Sequence, residues 1–323
     1  MSEKQYFAGI DIGGTNIKFG IFDETAKVIY RSHRPTESNK GATPLIHKLT
    51  NIAEQLLLHA SEEELEIKQL GVGSPGAVDI NSGQVISVCP NIKDWKGIAI
   101  GAHLKKHLNI PVYVDNDANA MALAEQKFGA AAGFNSAVCL TIGTGIGGAL
   151  IMNGSVYRGS NFSAGELGHV SINPDGEKCN CGNRGCLELY CSSKAITKSA
   201  KKLLSKHMTE DFEEILKGEP ENLTIKKIFL AFDKGDTVAR EVIEEAAYYL
   251  AVGIAGVVNL INPQAVIIGG GVADGSLKFV ELVEKDLRKI AFDSAVEKLI
   301  VKKAILGNDA GFIGAGLLGL HIS

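Results

Sequence analysis

No charge of one sign dominates this 323-residue chain. Its 33 lysines and arginines stand against 37 aspartates and glutamates, a formal net charge of −4. With a pI near 6.1, a surface built to hold nucleic acid is not expected. Long hydrophobic runs are missing too. The longest stretch of small apolar residues, Ala251 to Val258, is too short to span a bilayer, so no membrane partner is expected. Asp11 arrives before an apolar h-region can form. No signal peptide is read, and the cytoplasm is the expected compartment. Low-complexity tracts and Pro- or Ser-rich linkers are absent. Cysteine is scarce, and a chain this large without a secretory segment is a poor candidate for a disulfide scaffold. Cys89, Cys139 and Cys191 sit among apolar neighbours and read as buried thiols. What is present is 45% apolar residues over a length sufficient for two domains.

The other three cysteines form a cluster. Glu166-Leu167-Gly168-His169 precedes Cys179-Asn180-Cys181-Gly182-Asn183-Arg184-Gly185-Cys186-Leu187-Glu188. The alternatives are a redox cluster or coincidence. The spacing favours zinc: His169, Cys179, Cys181 and Cys186 fill a tetrahedral shell and leave no position open, as a structural site requires. The two glycines let the chain turn tightly enough for thiolates so close in sequence to face one ion. Glu166 and Glu188 bracket the knot, which suggests a rigid element holding polar groups toward a substrate.

The large-scale pattern is an internal echo. Tyr6 to Ile10 is an apolar strand, then Asp11-Ile12-Gly13-Gly14-Thr15 turns, and Ile17 to Phe22 returns. Ala137 to Leu140 is a second strand, Thr141-Ile142-Gly143-Thr144-Gly145 turns, and Ile146 to Met152 returns. Two such copies predict two similar α/β domains facing each other across a cleft. The first is expected over residues 1–117 plus 305–323, the second over 118–304. Helices are predicted over 42–60, Ala118 to Phe128, Glu241 to Leu260 and Ala310 to Leu320, with a helical excursion over 207–236. Short strands are predicted at Leu70 to Gly73, Val85 to Val88, Pro111 to Val114 and Ala265 to Ile268.

Several segments carry chemistry. Gly13 and Gly14 let backbone amides approach a phosphate, with Thr15 and Asn16 as polar partners, in a turn that runs on to Lys18. An ordinary β-turn is the plain alternative. Asp11, at a strand end, suits a hydrated Mg²⁺. Thr144, Gly145 and Gly147 repeat the theme. Neither hairpin has the lysine of a P-loop, which excludes a Walker-type site. Gly269, Gly270 and Gly271 close a buried strand and leave room for a flat group such as adenine or ribose, or else serve close strand–helix packing. Asp117, beside Asn116, is either a helix N-cap or a general base for a substrate hydroxyl, and the two can coexist.

Over essentially its whole length the chain resembles the ROK family of bacterial sugar kinases and related repressors. The resemblance rests on Asp11 to Thr15, Asn116-Asp117-Ala118-Asn119, Thr144 to Gly148, Glu166 to His169, the Cys179 to Glu188 knot and Gly269 to Gly271. The knot is specific; the glycine turns alone point only to the wider actin-like, ribonuclease H-like ATPase fold. The resemblance implies that Asp117 is the catalytic base. It implies that Asn91, Asn116, Glu166, His169 and Glu188 hydrogen-bond the other sugar hydroxyls, with Ser74 and Gly76 nearby. His169 then serves zinc and sugar together. The implied cofactors are ATP, Mg²⁺ and a structural Zn²⁺, and the implied assembly is a homo-oligomer, dimer or tetramer.

The expected activity is ATP-dependent phosphorylation of a hexose 6-hydroxyl. Glucose is the expected sugar, since overall similarity and length sit nearest the family's bacterial glucokinases. The alternatives are a kinase for fructose, N-acetylmannosamine, N-acetylglucosamine or allose, and a non-enzymatic sugar-sensing repressor. Such repressors carry a helix-turn-helix ahead of the first hairpin, and nine residues before Ile10 leave no room for one here. Polyphosphate stays open as a donor.

Overall fold

The computed structural model describes residues 4–321. They pack as two compact units. Of these, the first takes residues 4–135, 149–165 and 305–321; the second takes Ser136–Gly148 and Glu166–Ala304.

The first unit opens with β1 (Tyr6–Ile12), β2 (Asn16–Asp23), β3 (Val28–Pro35) and β4 (Ile67–Ser74). A small ladder of β5 (Val78–Asp79) and β6 (Gln84–Val85) follows, and then β7 (Val112–Asn116). The main sheet has the order β3-β2-β1-β4-β7. β1 is antiparallel to β2 and parallel to β4, and β4 is parallel to β7. β1 and β4 read as near-continuous apolar runs because central parallel strands are covered on both faces. One cover is α1 (Ala42–Glu62), which buries Leu45, Leu49, Ile52, Ala53 and Leu56 at helical spacing. α2 (Ile100–Lys105) leads into β7, and α3 (Asp117–Phe128) leaves it. The expected boundary near Asp117 thus falls at the start of a helix that groups with the first unit.

β8 (Ala137–Ile142), β9 (Ile146–Met152), β10 (Ser155–Tyr157), β11 (Ala265–Gly269) and β12 (Ile300–Lys303) form the other five-stranded sheet, in the order β10-β9-β8-β11-β12. This is the first sheet's order again: third, second, first, fourth, fifth. The last two neighbours are parallel in both sheets. The echo of two glycine hairpins in the sequence is therefore an echo of topology.

The second unit's helices are α4 (Glu188–Cys191), α5 (Ser193–Leu204), α6 (Glu210–Leu216), α7 (Ile225–Lys234), α8 (Thr237–Ile261), α9 (Gly271–Gly275), α10 (Leu277–Ile290) and α11 (Asp293–Val296). α6 and α7 are the predicted excursion. α8 ends at Asn262, whose φ of 43° is left-handed, and Pro263 follows. The chain closes with α12 (Ala310–Leu317), part of the first unit, laid directly on β1 and β4. A Cβ on Gly9 or Gly71 would overlap the backbone carbonyls of Phe312 and Ala315, so only glycine permits that approach.

The expected strand from Val85 to Val88 is shorter than predicted. Only Gln84–Val85 pairs, because its partner strand is two residues long, and Val88 leaves the ladder to stand 72% exposed. Among the described residues, no helix is long and apolar enough to cross a membrane.

Candidate functional site

In the first unit the polar side chains gather at the carboxyl ends of β1, β4 and β7. Register sets Asp11 beside Gly73, and Ser74 beside Asn116. A Cβ on Gly73 would lie 3.4 Å from the Asp117 Cα and 3.7 Å from Asp11 Oδ1. Two carboxylate-bearing residues therefore flank one bare backbone position. Burial pushes the Asp11 carboxyl up to about 6, with Lys18 pulling the other way. Lys18 pairs with Asp11 across the hairpin and donates from Nζ to Asn308 Oδ1 at 2.9 Å. Gly311 in α12 is bare where the Asp11 carboxylate packs.

The first hairpin turn is held from outside. Thr36 Oγ1 donates to the Gly13 carbonyl at 2.6 Å, and the Thr36 N–H donates to the Thr15 carbonyl at 2.9 Å. Gly14 and Thr15 remain exposed, and no atom lies near the place of a Gly14 Cβ. Backbone amides and a hydroxyl are thus presented on a braced turn.

Asn116, rather than Asp117, is the N-cap of α3. Its Oδ1 accepts from the N–H groups of Ala118 and Asn119 at 2.9 and 3.1 Å. Its Nδ2 donates to the Gly76 carbonyl at 3.2 Å. The capping alternative considered for Asp117 thus belongs to its neighbour. Asp117 is the first helical residue, half-buried, and its Oδ1 accepts from the Ala118 N–H at 2.9 Å. Burial raises the Cys89 thiol pKa and the nearby Asp117 charge adds to it, which puts the Cys89 loop in the same region. Asn91, two residues on, is exposed.

Ser74 is less available than the sequence suggested. It is fully buried; its hydroxyl accepts from Trp95 Nε1 at 3.1 Å and donates to the Pro75 carbonyl at 3.1 Å. Gly76 adopts φ 85°, and a Cβ there would press on Ser87 Oγ at 2.7 Å.

In the second unit, one carboxylate ties the cysteine knot to the second hairpin. Glu188 Oε2 accepts from the Ile146 N–H at 2.9 Å, and Gly145 is bare where that carboxylate lies. Gly168 packs against the Ile146 backbone in the same way. The Ser193 N–H donates to the Gly143 carbonyl at 2.9 Å. Beside it, Ser193, Lys194, Thr197, Lys198, Lys201 and Ile225 line a cavity of about 410 Å³. Sequence reading missed this cavity, although lysines at positions 194, 198 and 201 recur at helical spacing. Loss of hydration beneath its neighbours raises the Glu166 pKa; His169 opposes that and Glu188 adds to it.

The three glycines that run from the end of β11 into α9 divide in role. A Cβ on Gly269 would meet Ala304 Cβ at 2.9 Å, and one on Gly270 would meet the Ile142 backbone at 2.5 Å. Both serve close packing. Only Gly271 faces open space.

The donor atoms of His169, Cys179, Cys181 and Cys186 all lie within 4.8 Å of one another. His169 Nδ1 is 3.8 Å from Cys179 Sγ, and Cys181 Sγ is 3.5 Å from Cys186 Sγ. Gly182 and Gly185 take φ values of 97° and 62°, the left-handed turns that bring the thiols together. Cys179 and Cys186 are buried and Cys181 is exposed. One nitrogen and three sulfurs at this spacing suit a four-coordinate zinc ion. An ion on Nδ1 leaves the His169 Nε2–H to donate elsewhere.

The ROK family model matches residues 7–321. A glucokinase of Halalkalibacterium halodurans is 32% identical over 320 residues, 98% of this chain and 96% of the relative. A glucokinase of Thermotoga maritima is 35% identical over 308 residues, 95% of each chain. Among solved structures, a ROK family glucokinase from Streptomyces griseus in complex with glucose and AMPPNP superposes with a TM-score of 0.86. It is 32% identical, over 97% of this chain and 98% of that one.

Proposed function

The chain belongs to the ROK family, and on that premise we propose that it is an ATP-dependent sugar kinase that converts glucose to glucose 6-phosphate. The observation that carries the reading is the pair Asp11 and Asp117 on either side of bare Gly73. The glucokinase relatives and the glucose-bound S. griseus structure support glucose as the sugar.

Asp117 accepts the proton of the 6-hydroxyl as its oxygen attacks the terminal phosphorus of ATP, and the bond from that phosphorus to the bridging oxygen breaks to release ADP. The amides around Gly13 and Gly14, and those around Thr144 to Gly147, donate to the phosphate oxygens as charge builds. Lys18, Thr15 and Asn16 add polar contacts, and Gly271 leaves space for the nucleoside end. Glu166, His169, Glu188, Asn91 and Asn116 hydrogen-bond the remaining hydroxyls, Asn116 with the one Nδ2 hydrogen that Gly76 does not take. Ser74 acts at one remove, through Trp95. Magnesium, when bound with ATP, would neutralise phosphate charge, and Asp11 would supply a hard oxygen donor for its water shell. Zinc held by His169, Cys179, Cys181 and Cys186 would make the knot rigid. We include a dimer or tetramer, checked by light scattering, in the same reading.

An ATP-consumption assay tests this across glucose, fructose, mannose, N-acetylglucosamine and N-acetylmannosamine. The expected result is the largest kcat/KM for glucose, with activity lost in a magnesium chelator. No turnover with any sugar would overturn the reading, and a clear preference for another sugar would replace glucose.

A further inference from the structure

The deepest charged group near the proposed base is one that no step above uses. Asp115, the penultimate residue of β7, is 1% exposed. A buried carboxylate needs partners for all its lone pairs. Oδ1 accepts from the Asn116 N–H at 2.7 Å and from Asn119 Nδ2 at 3.0 Å. Oδ2 accepts from Arg158 Nε at 2.8 Å, and Arg158 Nη2 stands at ion-pair distance, also 2.8 Å. Nη2 is itself buried and makes no aligned hydrogen bond. Arg158 lies in the segment after β10, where Nη1 donates to the Val156 carbonyl at 3.2 Å. All these residues belong to the first unit.

The consequence falls on the turn that follows. Asp115 fixes the Asn116 N–H and the Asn119 side chain, Asn116 caps α3, and Asp117 stands between them as the first helical residue. Without Arg158, a buried anion would remain two residues from Asp117 with no counter-charge. Among the described residues, Asp11 flanks the same bare Gly73 as Asp117, with Lys18 opposite Asp11, Cys89 feels the Asp117 charge, and His321 feels that of Arg158. An unmatched Asp115 would add a second negative charge to Asp11 there, and like charges oppose ionisation.

We infer that Arg158 is a positioning residue for phosphoryl transfer: it clamps buried Asp115, thereby aiming Asp117 and cancelling the charge beside it. This rests on the proposed role of Asp117 as base. Geometry and charge separate by substitution. Arg158→Lys keeps the charge and loses the aligned Nε hydrogen bond to Oδ2. Arg158→Met removes both, and Arg158→Met with Asp115→Asn removes the stranded charge.

The test measures kcat, KM for glucose, melting temperature and the pH profile of kcat/KM for each purified variant. Arg158→Met is expected to lower kcat at least tenfold and to move the acid limb of the profile up by about half to one pH unit. The double variant should return the limb to its wild-type position. Arg158→Lys should leave the limb in place and lower kcat about threefold or more, with KM little changed. A well-folded Arg158→Met with an unmoved limb and kcat within threefold of wild type would overturn the inference. Should Arg158→Met fail to fold, a wild-type kcat in Arg158→Lys would overturn it equally. Asp117→Asn is measured in parallel. Full turnover in that variant defeats the base assignment itself, whatever Arg158 does.

Discussion

The two sheets repeat one strand order but place their acids differently. At matching positions of the two hairpins the first unit has Asp11 and the second has Thr141. The first unit carries its carboxylates on or directly after the sheet: Asp11 is next to last in β1, Asp115 is next to last in β7, and Asp117 opens the helix that leaves β7. The second unit's acids, Glu166 and Glu188, come from the segment that contains the cysteine knot. A strand end is rigid because the sheet around it is packed. A loop of 20 or so residues is not, and a metal clamp is one way to stiffen it. On the proposed reading, the same fold would support the reacting group directly in one half and use a knot to stiffen the sugar-binding groups in the other.

That contrast can be broken from either side. Asp117→Asn strikes the group held at the strand end, and kcat should fall on the order of 10³-fold or more, as expected for loss of a general base. The fall should be seen in steady-state turnover with the melting temperature within a few degrees of wild type. Cys181→Ser strikes the knot. Metal content by atomic emission should fall, and kcat/KM for glucose should drop about 10–100-fold because His169 and Glu188 lose their support. A metal-free variant with unchanged kinetics would remove the knot's role.

Glu188 separates two jobs within the second unit. Glu188→Ala removes the hydrogen bond to Ile146 and should cost about tenfold in kcat/KM for both glucose and ATP. Glu188→Gln keeps an acceptor for Ile146, so its loss should be confined to glucose. Equal effects of both variants on ATP would show that the hairpin does not need this support.

The last effect concerns Asp11 and is one of stability, not of turnover. Its folded pKa of about 6 lies above the ordinary value of 3.8. The native state holds the proton more tightly, so the protonated side chain's stabilising contribution is full below about pH 4 and is lost as pH rises through about 6. Metal-free Asp11→Asn should match wild type near pH 4 and exceed it above pH 6, by at most on the order of 3 kcal/mol. Thermal denaturation across that range checks the sign; a wild type more stable than the variant at pH 7 would reverse it.

Much of this was legible in sequence because the signals are local. The echo of Asp11 to Thr15 in Thr141 to Gly145, the spacing of Cys179, Cys181 and Cys186, and the apolar runs of β1, β8 and β11 each depend on residues close together in the chain. What escaped depends on distant partners. β3 reads as polar because it is an edge strand with exposed Arg31, His33 and Arg34 side chains or partial exposure along its length. Arg158 and Asp115 are 43 residues apart, and neither belongs to a motif. Ser74 looked available until Trp95, 21 residues on, claimed its hydroxyl. The cap moved from Asp117 to Asn116 because one residue of register decides which side chain reaches the first free N–H groups. Gly269 and Gly270 matched the pattern of an open loop, yet their neighbours Ala304 and Ile142 fill that space.

Calorimetric glucose binding, measured on Asp117→Asn and Cys181→Ser beside their turnover, most directly tests the division between a reacting sheet and a knot-held sugar site. Asp117→Asn should keep its glucose Kd within about tenfold of wild type while turnover collapses, whereas Cys181→Ser should lose binding and turnover together. Near-normal turnover in Asp117→Asn, or unchanged glucose affinity in a zinc-free Cys181→Ser, would contradict it.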